Sequence, residues 1–118
     1  MKLLPLLCFS SALLLAVPAL SLPLKAYKAA QKSDNLETVE NYLDGVGNGF
    51  FWANATLHAD NKEPLFCSPD MALNQENYLT LLDREIKNGM SPKTAWRDDD
   101  AIEVILLRAL QRTFPCKK

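Results

Sequence analysis

The apolar positions Leu36, Val39, Leu43, Val46, Phe50, Ala53 and Leu57 recur at intervals of three and four residues. That spacing draws one stripe down an α-helix of about six turns, and it lacks the alternation by two that a strand requires. Asp34 in front of the stripe, with Glu37 three residues later, has the form of a capping box. A second helical pattern runs from a cap at Asn74 to about Asn88, with Leu79, Leu82 and Ile86 inward and Tyr78 beside them. Asp83 and Lys87 stand four apart on its outer side, and Gly89 ends it. The third pattern starts at Asp98-Asp99-Asp100 and continues through AIEVILLRALQRTF to Pro115 and Cys116. Acidic residues at its start and Arg112, Lys117 and Lys118 at its end match the helix dipole. Val104–Leu107 is apolar on every side, which predicts a central, covered helix.

Between these elements lie two connections. HADNKEPLFCSPD (58–70) breaks the pattern with Asp-Asn and two prolines, and GMSPKTAWR (89–97) holds a Ser91-Pro92 that can open a short turn of helix. Residues 22–33 predict only a weak helical lead or a frayed terminus. The expected fold is all-α, a small helical bundle.

Ahead of it stands a different kind of segment. Lys2 precedes an apolar run, Leu3–Val17, broken only by Pro5, Cys8, Ser10 and Ser11, and small residues then allow cleavage after Ala19 or Ser21. This is the form of a secretory signal peptide, shorter than a first reading as a membrane anchor requires. A retained transmembrane helix is the alternative; a lipoprotein fits less well, because Cys8 lies inside the run. The chain therefore divides into a signal peptide (1–21) and one helical domain (22–118) of 97 residues, enough for a single core.

Export changes the reading of charge and cysteine. Of 13 basic and 14 acidic residues only Lys2 leaves with the signal, so the remaining charge is near balance. Neither nucleic acid nor an anionic membrane finds a basic surface there, and no second apolar run is long enough to span a bilayer. Cys8 also leaves, and Cys67 and Cys116 remain. In an oxidising compartment two cysteines most simply pair, closing a loop worth about 4 kcal/mol in the chain-entropy model. A reactive thiol beside a base is the other possibility.

The stretch YLDGVGNGFFWAN (42–54) raises the question of a phosphate loop. A dinucleotide fingerprint needs Gly-x-Gly-x-x-Gly after a strand; here the third glycine comes one residue early and the context is helical. At about 100° per residue, Gly45 and Gly49 share a face with Tyr42 and Trp52, while Gly47 falls on a polar side with Glu40 and Asn54. Glycine costs about 1 kcal/mol in a helix interior relative to alanine. A helix-packing notch at Tyr42, Gly45, Gly49 and Trp52, with a second backbone in close approach, would offset that; a kink at Gly47 is the rival.

No catalytic constellation stands out, and the expectation is a protein that is not an enzyme. Three consecutive aspartates on a helix point about 100° apart and cannot converge on one ion, so no metal and no cofactor is expected. His58 is alone in a polar loop, without a partner histidine for zinc. Asn54-Ala55-Thr56 has the form of a glycosylation sequon, which matters only in a eukaryotic source. Phe51 falls on the polar side of the first long helix, as a contact surface or under a neighbouring segment.

Three segments together point to a family. Tyr42-Leu43-x-Gly45-Val46-x-x-Gly49-x-x-Trp52-Ala53-Asn54, Leu65-Phe66-Cys67-x-Pro69 and Leu107-x-Ala109-Leu110-x-x-x-Phe114-Pro115-Cys116 resemble the Rap/Tai immunity proteins of type VI secretion systems. The resemblance implies a periplasmic helical protein, often a homodimer, that binds a peptidoglycan amidase effector and occludes its active-site cleft with a loop. Family members often carry further cysteines near the first helix; around Asn41 this chain has none. The candidate contacts are Asp60, Lys62, Glu63 and Pro64 in the first connection, and Trp96 and Arg97 in the second. The first is favoured, because Cys67 and two prolines stiffen it and lower the ordering cost of binding. Trp and Arg are residue types enriched at binding hot spots. The domain also occurs without a neighbouring toxin, so a general periplasmic helical binding or stress module, chaperone-like, is the alternative. A small hydrolase acting through His58 and a secreted eukaryotic factor glycosylated at Asn54 are further rivals.

Overall fold

The computed structural model describes residues 20–88 and 95–117, and among these residues it is all-α. Four helices follow one another: α1 (Leu24–Ala30), α2 (Leu36–Ala59), α3 (Gln75–Asn88) and α4 (Ile102–Thr113). The signal-peptide reading of residues 1–19, the Gly89 stop and the Ser91-Pro92 turn lie outside the described residues. No described helix is long and apolar enough to cross a membrane.

α3 and α4 form the most extensive helix pair, α2 packs on α3, and α1 lies against α2. The core between them is built from Leu43 of α2, Leu82 of α3 and Ile102, Ile105, Leu106 and Leu110 of α4, all fully buried. Each such side chain contributes about 1.5–3 kcal/mol of burial free energy. Val104, on the outer side of α4, is half exposed, so α4 is covered on one broad face and open on the other.

Of the two readings of residues 22–33, the helical lead is the one that forms, and it is packed. Leu24, Tyr27 and Ala30, three residues apart, form the inner side of α1 and are buried. The Tyr27 hydroxyl donates to Asp83 Oδ1 of α3 at 2.6 Å, and Gln31 Nε2 donates to the same oxygen at 3.3 Å. Asp83 therefore faces α1, and no ion pair with Lys87 forms among the described residues. Burial, and then the Asp83 carboxylate, push the Tyr27 hydroxyl pKa upward.

The helix ends differ from the expected caps in instructive ways. α2 begins after Asn35, which makes no side-chain cap bond; the Asp34/Glu37 capping box does not form. At α3 the box is present with asparagine in both roles. Asn77 N–H donates to Asn74 Oδ1 at 3.0 Å, and Asn74 N–H donates to Asn77 Oδ1 at 2.9 Å. Two otherwise unpaired donors are satisfied reciprocally.

α4 begins at Ile102, so the acidic run lies before the helix, in a turn. Its carboxylates pair across to α1: Asp98 with Lys28 at 2.8 Å and Asp99 with Lys25 at 2.6 Å. Backbone bonds run alongside, from Leu24 N–H to the Asp100 carbonyl and from Lys25 N–H to the Asp98 carbonyl, both 2.8 Å. Lys25, exposed, holds the Asp99 carboxyl below its ordinary pKa, and Asp99 in turn raises that of Lys25.

Cys67 and Cys116 are joined, with their Cα atoms 4.9 Å apart. The bridge ties the connection after α2 to the segment after α4, and Cys67 N–H donates to the Phe114 carbonyl beside it at 2.8 Å.

Candidate functional site

The first candidate surface is set by how α2 stops. Asn61 adopts a left-handed conformation, φ 54°. Its N–H donates to the His58 carbonyl at 3.1 Å, and Lys62 N–H donates to the Leu57 carbonyl at 2.8 Å. This pair of bonds is the Schellman arrangement, with asparagine in the place most often taken by glycine. The chain reverses there, and α2 extends to Ala59, so His58 sits in its last turn and not in a loop.

The segment after this reversal is held from three sides. Asn54 of α2, almost completely buried, accepts from Leu65 N–H through Oδ1 and donates through Nδ2 to the Phe66 carbonyl, both at 2.7 Å. One partner can only donate and the other can only accept, which fixes the orientation of the amide. Gln111 of α4 donates to the Leu65 carbonyl at 3.2 Å, Phe66 is buried in the core, and Cys67 is bridged. Above this base Asp60, Lys62 and Glu63 are exposed and Pro64 is half-buried. Lys62 Nζ lies 3.9 Å from Asp60 Oδ2 with both side chains in solvent, a spacing that contributes little to stability. The charged tip is solvated while its base is immobilised.

Trp96 and Arg97 behave differently from one another. Trp96 is half-buried against the core and, with Arg108, Gln111 and Arg112, lines a cleft of about 330 Å³. Arg97 has its side chain in solvent, and its backbone N–H donates to Asp100 Oδ2 at 2.7 Å. Gln111 also lines the cleft beside Glu63 and Pro64. The two candidate surfaces are thus neighbours, separated by one glutamine that Arg108 orients through a 3.1 Å bond.

The glycine face requires a correction. Gly45 and Gly49 are exposed with nothing near the position of an added Cβ, and Tyr42 and Trp52 are 39% and 67% exposed. No second backbone packs on this strip among the described residues. The close approach occurs at Gly47, where a Cβ would overlap the ring of Tyr78 from α3. Gly47 and Asn54 flank the Val39–Leu57 stripe on the side that α3 and the 65–67 segment cover. Tyr42 reaches across to α4, where its hydroxyl donates to Glu103 Oε1. Burial, and then this carboxylate, push the Tyr42 pKa up to about 12.

An apolar cleft of about 260 Å³ lies between α2 and the 66–73 connection, lined by Phe51, Phe66, Met71, Leu73 and Tyr78 among others. Phe51 and Met71 leave much of their surface in solvent, and Phe51 meets Trp52 edge-on at 5.4 Å. Among the described residues no three of His, Cys, Asp and Glu are placed to hold a metal ion. His58 is exposed, and the sulfurs of Cys67 and Cys116 are bonded to each other, leaving neither as a free thiol.

Asn54 and Gln111 are the positioning residues that sequence reasoning did not single out for this role. Nothing in their spacing marks them, since their partners are backbone groups far along the chain. Comparison of the chain with protein-family models, with curated proteins and with solved structures gives no match.

Proposed function

We propose that this is a periplasmic immunity protein that binds a peptidoglycan amidase effector of a type VI secretion system and blocks its active-site cleft. The observation that carries the reading is the fixed base of the 60–67 segment. Asn54, Gln111 and the Cys67–Cys116 bridge hold it while Asp60, Lys62 and Glu63 stand in solvent. A loop already ordered before binding loses less conformational entropy on insertion. The three sequence segments that resemble the Rap/Tai proteins support the same reading, and the proposal includes the homodimer common in that family. Inhibition of this kind needs surface complementarity and no chemistry from the inhibitor.

The test is direct. Mature protein carrying Asp60→Ala, Lys62→Ala and Glu63→Ala together is expected to keep its helical spectrum and lose at least tenfold in affinity for the amidase. Unchanged affinity removes this loop from the account. Mature protein used as bait in cells that carry the secretion system should retain one amidase, identified by mass, and sedimentation should find a dimer.

The apolar cleft beside Phe51 and Met71 favours a second reading, a helical binding or stress module that holds apolar segments of many clients. Many unrelated proteins on the bait, and no amidase, would select it.

A further inference from the structure

We propose that the chain is cut between Ser21 and Leu22, and that the α-ammonium group created there pairs with Glu103. The inference rests on the reading of the chain as exported; it selects the second of the two cleavage points and adds a structural use for the terminus made there.

Engagement of the chain begins abruptly at Leu22. Leu20 is 86% exposed, Ser21 is exposed, and neither makes a hydrogen bond among the described residues. Leu22 is held at both polar atoms: its N–H donates to Glu103 Oε1 at 3.0 Å, and its carbonyl accepts from Ile102 N–H at 2.9 Å. Pro23 then pairs with Ala101 in an isolated antiparallel bridge, and α1 comes next.

Glu103 is incompletely satisfied. Its Oε1 accepts from Leu22 N–H and from the Tyr42 hydroxyl, both neutral donors. Its Oε2 is out of solvent contact and has no hydrogen-bond partner among the described residues. No lysine or arginine side chain pairs with it there. A carboxylate oxygen left in this state costs free energy that a nearby cation would recover. The Leu22 nitrogen is already at bonding distance. As an amide it offers one hydrogen; as an ammonium it offers three and a positive charge, which leaves hydrogens for the unpaired oxygen of the same carboxylate. The other charged groups near it are the turn carboxylates Asp98, Asp99 and Asp100, with Lys25 and Lys28 paired to Asp99 and Asp98.

Hydrolysis supplies that group. Water adds to the Ser21 carbonyl, the Ser21–Leu22 amide bond breaks, Ser21 leaves as a carboxylate and the Leu22 amine takes up a proton. Ser21 and Ala19, one and three residues before the bond, are the small residues that a leader peptidase accepts. Cleavage after Ala19 would instead leave Leu20 and Ser21 as an exposed stub, with its charge away from Glu103.

Intact mass and N-terminal sequencing of the protein recovered after export test the site. A chain of 97 residues beginning at Leu22 is expected. A start at Leu20 overturns this inference and leaves the cleaved-signal reading standing; an uncut chain of 118 residues overturns both and selects the retained transmembrane helix. Titration of the α-ammonium group by nuclear magnetic resonance tests the pairing. Its pKa should lie above the ordinary range of about 7.7–8.0 and fall back in Glu103→Gln. Should that variant not fold, a form that keeps Leu20 and Ser21 ahead of Leu22 gives the comparison, with an ordinary pKa expected for its displaced amine. An ordinary pKa in the protein beginning at Leu22 overturns the pairing.

Discussion

The amide nitrogen of Asn54 donates to the backbone carbonyl of Phe66 across 2.7 Å, twelve residues along the chain and inside the protein. With the reciprocal bond from Leu65 N–H, one side chain replaces the backbone pairing that this N–H and the Phe66 carbonyl lack. Asn54→Ala leaves a buried donor and a buried acceptor without partners, and should lower stability by about 2–4 kcal/mol in urea unfolding. Asn54→Asp should not rescue it, because its second oxygen would face the Phe66 carbonyl. The same burial predicts that folded protein made in a eukaryotic secretory pathway carries no glycan on Asn54, which intact mass would show.

The three glycines of α2 should respond with opposite signs. Gly45→Ala and Gly49→Ala meet open space and remove a helix-interior glycine, so each should raise stability by up to about 1 kcal/mol. Gly47→Ala drives a methyl group into the Tyr78 ring and should lower stability by about 1–3 kcal/mol. Thermal melts of the three variants side by side decide it; a gain at Gly47 would show that α2 and α3 are not in contact there.

Alkali should unfold the protein through its phenols. All three tyrosines have raised pKa values, each chiefly through burial, with Tyr42 pushed up to about 12. A raised folded pKa means that the neutral phenol is favoured in the native state. That stabilisation is whole below the unfolded value of about 10 and is lost as pH rises through the folded one. Tyrosinate absorbance should therefore appear late and together with loss of helical signal, and Tyr42→Phe should remove part of the steepness near pH 12.

Opening the disulfide should cost much of the total stability. Cys67 and Cys116 are 49 residues apart, and Cys67→Ala with Cys116→Ala should lose about 4 kcal/mol in the chain-entropy account. The Asn54 bonds remain in that variant, so the 65–67 base should loosen without detaching. Hydrogen exchange at Leu65 N–H, slow in the parent and faster in the variant, reads this out.

Three of the four helices were legible from spacing alone, because long apolar periods leave few alternatives. The rotation of α2 about its axis was not. Counting apolar residues centres the stripe on Val39 and Leu57, but Gly47 and Asn54 also face inward, one by being small enough to pass under a ring and the other by having both amide groups bonded. Polarity scales assign both residues to the wet side. α1 was legible only as a weak helical lead, because seven residues hold barely two turns; Leu24, Tyr27 and Ala30 at intervals of three were the usable signal for its packing. The acidic run reads as the first turn of a helix, since carboxylates favour that place; Lys25 and Lys28, on an element not foreseen as packed, draw it into a turn. The candidate tip at Asp60–Pro64 was legible from its Asp-Asn and proline punctuation. Its anchoring depends on partners that only the folded chain brings together.

Because Cys67 and Cys116 enclose α3, α4 and the connection between them, one protease nick anywhere within that loop cuts the backbone without separating the fragments. Digests run without reductant would report an intact molecule, and only a thiol would expose the wound. Survival among endopeptidases then depends on the spans ahead of Cys67, the link between α1 and α2 and the solvated tip at Asp60–Glu63, where a single incision sets an end free.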